Sequence, residues 1–269
     1  MIKMIIKKTA ELFFKTNDIY ILETFDNTII INNNHQGLLI LNDSLDIQKE
    51  VHIQQIAPIY FVYKKYDNSA LMLYLPDAHQ TILIDLKTCN HDIITLPEVF
   101  HEEILSSNYY WNNDTFILTT TNDAFYEINF ISKILYALSY EKVQRNYPSF
   151  YDFWNICKHY NIVTIYPEKE SFIFQKDDHH MGFFNGKNDQ ECEIKEYFND
   201  WHDIEYKNNL FCFIDEHELK IIHDNNTFSL YPQNNFIFLK AKFLGDNNLA
   251  ILSSNPANCQ ESLLEVYKT

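Results

Sequence analysis

The stretch that decides the fold is residues 67–86, which read DNSALMLYLPDAHQTILIDL. An Asp-Asn turn opens it, and a second turn around Pro76 and His79 separates two apolar runs, ALMLYL and TILIDL. Short apolar runs bounded by turn residues are typical of strands joined in a hairpin. Residues 67–86 therefore predict two antiparallel strands.

The same module recurs at intervals of about 40 to 48 residues along the chain. Its first turn falls at Asp26-Asn27, Asp67-Asn68, Asn112-Asn113-Asp114, Glu168-Lys169, Asn208-Asn209 and Asp246-Asn247-Asn248. Four short strands per repeat of this length indicate a propeller blade. We predict an all-β fold, a closed β-propeller of about six four-stranded blades. Five or seven blades, a two-sheet sandwich or two barrels are the alternatives.

The strands of each module are termed A to D, from the propeller axis outward. The A strands are expected near residues 19–25, 59–66, 104–111, 162–166, 202–206 and 236–244. The last module reaches the end of the sequence after its third strand. We predict that Met1–Lys8 supplies the missing strand and hides the open sheet edges. Residues 1–269 would then form a single domain.

The net charge of −16 narrows the choice of partner. Arg145 is the only arginine, and an acidic chain repels nucleic acid and anionic membranes. Acidity favours either solubility alone or a basic protein partner. The five cysteines include no C-x-x-C pair, and residues 1–15 lack the apolar core of a signal peptide. We expect a cytoplasmic protein with reduced cysteines.

Catalytic and metal motifs are weak. The sequence contains no G-x-G-x-x-G, P-loop or G-x-S-x-G pattern. The densest histidine clusters are His179-His180 beside Asp177-Asp178, and His217 between Glu216 and Glu218. Adjacent residues seldom bind one metal, so we interpret both clusters as polar turns. We expect no metal, no cofactor and no enzyme activity, with a propeller hydrolase or lyase that uses axial carboxylates as the alternative.

Acidic residues gather at one end of the predicted blades, where the B–C turns and the D-to-A connections lie. Between Asp189 and Glu218, ten acids stand against Lys195 and Lys207. We predict an acidic face that steers a basic partner; a solvated surface is the alternative.

Aromatic residues lie among these acids, most densely in the longest connection, residues 141–160. Aromatic anchors inside a charged rim are typical of protein interfaces, although the connection could instead fold back as a core plug. The predicted partner-binding residues are Trp111, Tyr147, Phe150, Tyr151, Asp152, Trp154, Asp177, Asp178, Asp200, Trp201, Asp203, Asp215, Glu216 and Glu218.

In size, charge and lack of catalytic motifs the chain resembles the immunity proteins of bacterial contact-dependent growth inhibition and related polymorphic toxin systems. This resemblance implies an antitoxin that neutralises a cognate toxin domain, often a nuclease, in a 1:1 complex. A nuclease that attracts phosphate is basic, which fits the negative charge of this chain, and an EndoU-type RNase is the expected toxin. A general protein-interaction scaffold is the remaining alternative.

Overall fold

The computed structural model describes residues 6–53, 57–96, 105–177, 180–188, 190–197, 201–223 and 226–269. It contains six four-stranded antiparallel sheets, which are the six blades of a β-propeller. The predicted fold class and the blade number are therefore confirmed. By contacts within the chain, the blades divide into two compact units of three blades each. The prediction of a single domain over residues 1–269 stays a prediction.

The first unit, formed by Met1–Ile56 and Asp200–Thr269, contains blades 1, 5 and 6. Blade 1 consists of β2 (Leu22–Phe25), β3 (Thr28–Asn32), β4 (Gly37–Leu41) and β5 (Ile47–His52); blade 5 of β18 (Asp203–Lys207), β19 (Leu210–Ile214), β20 (Leu219–His223) and β21 (Asn226–Leu230); and blade 6 of β22 (Ile237–Leu244), β23 (Asn248–Asn255), β24 (Asn258–Lys268) and β1 (Lys7–Phe14).

The second unit, Ala57–Asn199, contains blades 2, 3 and 4. Blade 2 consists of β6 (Phe61–Lys64), β7 (Ala70–Leu75), β8 (Gln80–Asp85) and β9 (His91–Thr95); blade 3 of β10 (Leu105–Asn112), β11 (Thr115–Thr120), β12 (Phe125–Asn129) and β13 (Ile134–Leu138); and blade 4 of β14 (Asn161–Tyr166), β15 (Ser171–Gln175), β16 (His180–Asn185) and β17 (Gln190–Tyr197). Helices α1 (Tyr140–Asn146) and α2 (Pro148–Cys157) connect blades 3 and 4.

The hairpin predicted from residues 67–86 is present as β7 and β8, in a register that pairs Leu75 with Gln80. A short 3₁₀ turn, Pro76–Ala78, joins the two strands. The preceding turn places Asn68 at a φ of 60°, a left-handed conformation that asparagine tolerates better than most residues. Asn113 and Asn208 occupy the equivalent turns of blades 3 and 5 with φ values of 49° and 50°. Asparagine thus replaces glycine at these turns.

The N-terminal strand completes blade 6, as predicted, but it is formed by other residues. The strand is Lys7–Phe14, which pairs antiparallel with β24, whereas the prediction placed it at Met1–Lys8. Ala10, Leu12 and Phe14 alternate along β1 and pack against the aliphatic core of the first unit. This alternation matches a strand with one buried face, which is why the later residues pair. Residues 1–5 lie outside the described part of the chain.

The core of blades 1 and 6 and the core of blades 2 and 3 contain different kinds of side chains. In the first unit, blades 1 and 6 share a core of isoleucine, leucine, valine and alanine, represented by Ile31, Leu252 and Val266. In the second unit, blades 2 and 3 share a core rich in aromatic rings, including Tyr63, Trp111 and Phe116. No helix among the described residues is long and apolar enough to cross a membrane.

Candidate functional site

The acidic turn of blade 5 joins β19 to β20 and comprises Asp215, Glu216, His217 and Glu218. The Asp215 carboxylate accepts hydrogen bonds from the backbone N–H groups of His217, at 2.6 Å, and Glu218, at 3.0 Å. An aspartate that satisfies two backbone donors in this way fixes a tight turn. The Glu218 carboxylate accepts a hydrogen bond of 2.5 Å from the Ser229 hydroxyl. Three carboxylates are therefore held within four residues at one end of the blade.

Tyr231 and His202 extend this acidic turn into a larger patch. Tyr231 follows β21 directly, and the register that pairs Leu219 with Leu230 brings it to the same end of the blade. Its side chain is 70% exposed. His202 is also exposed, and its backbone N–H donates to the Ile214 carbonyl, where β19 enters the turn. We name the patch the blade-5 rim: His202, Asp215, Glu216, His217, Glu218 and Tyr231.

The negative charges of the blade-5 rim are not compensated by any lysine or arginine that the structure describes. Within the described residues, neither Asp215, Glu216 nor Glu218 forms an ion pair with a lysine or arginine. The nearest basic side chain in sequence, Lys220, lies over the Trp201 ring with its Nζ 5.2 Å from the ring centroid. The rim therefore combines uncompensated negative charge with an exposed aromatic ring.

Two other acids of the B–C turns have partners within the chain. The Asp123 carboxylate, in the β11–β12 turn, lies 2.7 Å from the Lys158 Nζ. Asp177 accepts hydrogen bonds from the backbone N–H of His180, at 2.9 Å, and contacts its ring Nδ1, at 2.8 Å. Lys158 thus compensates the charge of Asp123, and Asp177 stabilises its own turn. Asp178 and Asp200 lie outside the described residues.

Asp203 belongs to a charged cluster on the first strands of the three blades of the first unit. Its neighbours are Glu205 on β18, Glu23 on β2 and Lys242 on β22, whose Nζ donates a hydrogen bond to the Glu205 carboxylate. Burial alone would lower the pKa of Lys242, but the charges of Asp203, Glu205 and Glu23 outweigh it and raise that pKa. Lys242 therefore stays protonated, and the Asp203 carboxylate lies beside it, with its Oδ2 buried and without a hydrogen-bond partner among the described residues.

The aromatic side chains of the helical insert are mostly core residues. Trp154 is 5% exposed and packs against Phe125 of blade 3 with ring centroids 4.7 Å apart. Phe150 joins the same cluster, and Phe153 packs instead against Phe172 of blade 4 at 6.0 Å. Helix α2 thus wedges between two blades. Phe150 and Trp154 are buried on the face of α2 that packs against the blades, as the core-plug alternative expects, and their binding role stays a prediction.

The remaining predicted anchors differ in exposure. Trp111 is 1% exposed within the core of blades 2 and 3, and Trp201 is 7% exposed against Phe213 of blade 5. Both rings are therefore covered in the free protein. Tyr147 and Tyr151 are partly buried beside the α2 core, whereas Asp152 is exposed. The binding roles of all the predicted residues stay predictions.

Sequence reasoning missed Tyr231 and His202. The signal for Tyr231 was available, since it is an aromatic residue next to Pro232 in an otherwise polar connection between two strands. The predicted histidine clusters do not form a metal site in the described part of the chain, where no group of three or more His, Cys, Asp or Glu could hold an ion. His179 of one cluster lies outside that part.

Comparison with known proteins identifies the fold. No protein-family model and no curated protein matches the sequence. Among solved structures, the chain is similar to the Cps50 (Swd1) β-propeller domain of Myceliophteria thermophila, with a TM-score of 0.56 and 9% identity over 98% of this chain and 99% of that one. It is also similar to streptogramin B lyase, with a TM-score of 0.57 and 10% identity over 98% of both chains. At this identity the similarity establishes the propeller fold alone.

Proposed function

We propose that this protein binds a basic protein partner through the blade-5 rim, and that it acts as an immunity protein for a nuclease toxin. The observation that carries the proposal is the combination of three carboxylates in one turn, none of which forms an ion pair with a described lysine or arginine, with the exposed ring of Tyr231. Negative charge accelerates association with a basic partner, and an aromatic anchor slows dissociation. The rim supplies both within a single blade.

A propeller hydrolase or lyase is the second candidate, because streptogramin B lyase is one of the similar structures. Its natural location is the cluster of Glu23, Asp203 and Glu205 on the first strands. Lys242 lies among these carboxylates as a buried countercharge and donates to Glu205. Such an arrangement suits structural ion pairing better than a carboxylic acid poised to donate a proton, so binding is the preferred function.

The test requires a candidate partner, which is sought as a basic nuclease domain among the genes adjacent to this one. Glu216→Lys should slow association several-fold at low salt, with little change in dissociation. Tyr231→Ala should speed dissociation by roughly tenfold, as expected for an aromatic anchor.

Asp246→Lys is the matched control, since this exposed acid lies in the β22–β23 turn, at the opposite end of its blade. It reverses the same charge and should leave binding nearly unchanged. RNA cleavage by the nuclease, measured with each variant present, reports inhibition. An association rate that is equal for Glu216→Lys and Asp246→Lys would contradict the role of the rim.

A further inference from the structure

A second surface feature lies in the second unit, at the end of blades 2 and 3 that carries the A–B and C–D turns. It is a cleft of about 270 Å³ between these two blades. Its floor is apolar and includes Trp111 and Phe130, whose ring centroids lie 5.6 Å apart. Its rim includes the carboxylates of Asp85, Asp92 and Asp114. The cleft therefore places acids around an aromatic surface.

The charge of the cleft is negative after the local ion pairs are taken into account. Lys65 also lines the cleft, but its Nζ lies 3.2 Å from the Asp67 carboxylate. Asp92 is paired with Lys133 at 2.5 Å. Asp85 also lies close enough to Lys87 for the charge of that lysine to lower its pKa. Four carboxylates, counting Asp67, thus face three lysine ammonium groups, which leaves one negative charge.

Two carboxylates at the edge of the cleft can accept further hydrogen bonds. Asp85 uses Oδ1 to accept hydrogen bonds from the backbone N–H and hydroxyl of Thr88, at 2.7 and 2.9 Å, and a carboxylate has further lone pairs for other donors. These bonds also lower the pKa of Asp85, chiefly through the Thr88 backbone N–H, and keep the group ionised. Asp114 is exposed and forms no hydrogen bond or ion pair with other described residues.

Trp111 supplies an independent indication of a ligand. Its side chain is 1% exposed and lines the cleft, and its indole Nε1–H has no hydrogen-bond partner among the described residues. A buried indole N–H usually finds an acceptor. The cleft therefore offers acceptors at its rim, an aromatic surface at its floor and one unsatisfied donor.

We propose that this cleft binds an arginine side chain presented by a partner polypeptide. A guanidinium group is planar and cationic, stacks on aromatic faces and donates several hydrogen bonds to carboxylates in fixed directions. Asp85 and Asp114 accept these bonds, and the partly buried ring of Phe130 provides the stacking surface. A backbone carbonyl of the same polypeptide accepts the bond from the Trp111 indole. The cleft lies in the second unit, and its proposed ligand does not depend on the toxin assigned to the blade-5 rim.

The probe is the peptide acetyl-Ala-Arg-Ala-amide, compared with the same peptide carrying citrulline, which has nearly the same shape but no charge. The readout is the ¹H–¹⁵N signal of the Trp111 indole in the full chain, identified by its loss in Trp111→Phe. The arginine peptide should shift this signal at millimolar concentration, and a lysine peptide should bind more weakly because its ammonium is not planar. The citrulline peptide should not shift it.

Asp114→Asn removes a charged acceptor without touching the core and should weaken the arginine peptide about tenfold. Asp152→Asn, an exposed acid on α2 outside the cleft, is the control and should leave the affinity unchanged. Equal binding of the arginine and citrulline peptides, or no shift of the Trp111 signal with either, would overturn the proposal. Failure of nuclease inhibition with the rim variants would leave this result unaffected.

Discussion

Blade 6 and the helical insert, which consists of α1 and α2, are stabilised by different kinds of contact. Blade 6 receives its last strand, β1, from the other end of the chain, and the strand is joined to β24 by backbone pairing from Lys7 to Phe14. The insert fills the space beside blades 3 and 4 with side chains of α2, without adding a strand to either sheet. The pairing of β1 with β24, which we term the seam, is stabilised by backbone hydrogen bonds. The helical insert is stabilised by aromatic packing.

The difference extends to the polar groups that each region buries. At the seam, the 1% exposed Glu265 is 3.0 Å from the Lys8 Nζ and also accepts hydrogen bonds from Gln233 and Tyr267. In the insert, Trp154 and Phe153 bury rings against two blades and contribute no ion pair to the core. The comparison indicates that the seam depends on a whole strand, whereas the insert depends on a few large side chains.

Deleting residues 1–14 should destabilise blade 6 and lower the stability of the protein more than any of the substitutions below. The deletion removes β1, exposes the edge of β24 and leaves Glu265 buried without Lys8. We expect the largest fall in melting temperature, with aggregation detectable by size-exclusion chromatography. Deleting residues 1–5 alone, which precede β1, is the control and should cost far less. Equal melting temperatures for both deletions would show that the seam does not require the strand.

Trp154→Ala should destabilise the packing of the helical insert against blade 3. Truncation of a large buried aromatic side chain leaves a cavity and costs about 3–5 kcal/mol of folding free energy. Asp152→Ala, two residues away on the exposed side of α2, should stay within about 0.5 kcal/mol of the wild type. Thermal and urea unfolding of the free protein measure both values. A Trp154→Ala variant as stable as Asp152→Ala would return this tryptophan to the list of interface anchors.

Lys8→Met should destabilise the seam by removing the ion pair between Lys8 and Glu265. The substitution keeps the aliphatic part of the side chain but leaves the buried Glu265 carboxylate without its cation. Because the Lys8 side chain is 39% exposed, we expect about 1–2 kcal/mol, less than the cost of breaking a fully buried pair. The double variant Lys8→Met/Glu265→Gln should recover part of the loss in urea unfolding. No recovery would mean that the charge of Glu265 is not the cause.

Asp67→Ala should give the smallest effect, at a turn of the second unit. The Asp67 carboxylate accepts hydrogen bonds from the hydroxyl and backbone N–H of Ser69, and chiefly this hydroxyl bond lowers its pKa below the usual value of an aspartate. We expect a loss of roughly 0.5 kcal/mol near neutral pH, since the group is largely exposed.

The lowered pKa fixes the pH dependence of this effect. A carboxyl with a lower pKa in the folded state contributes stability above its unfolded pKa and loses it as the pH falls through the folded pKa. The difference in unfolding free energy between Asp67→Ala and the wild type should therefore shrink below about pH 4. A difference that stays constant from neutral pH to pH 2 would contradict the charge contribution.

Much of the fold was predictable because its signals are local. Alternating apolar runs and Asn/Asp turns repeat in the sequence, and they specified the strands, the hairpins and the six blades. The position of β1 was predicted a few residues too early, because Met1–Ile6 and Ala10–Phe14 both contain apolar residues and the pairing partner decides between them.

The candidate site was less predictable, because exposure and ion pairing depend on residues distant in sequence. Trp154 and Tyr231 both occur in connections between strands, yet one is 5% exposed and the other 70%. Asp123 and Glu216 both occur in B–C turns, yet Lys158 neutralises the first and no described lysine pairs with the second. The sequence by itself determined the repeats, the strands and the net charge, since strand and turn preferences act between neighbouring residues. Only the tertiary structure decided which aromatic rings are covered and which charges remain unpaired, because packing and Coulomb energies depend on distances in space.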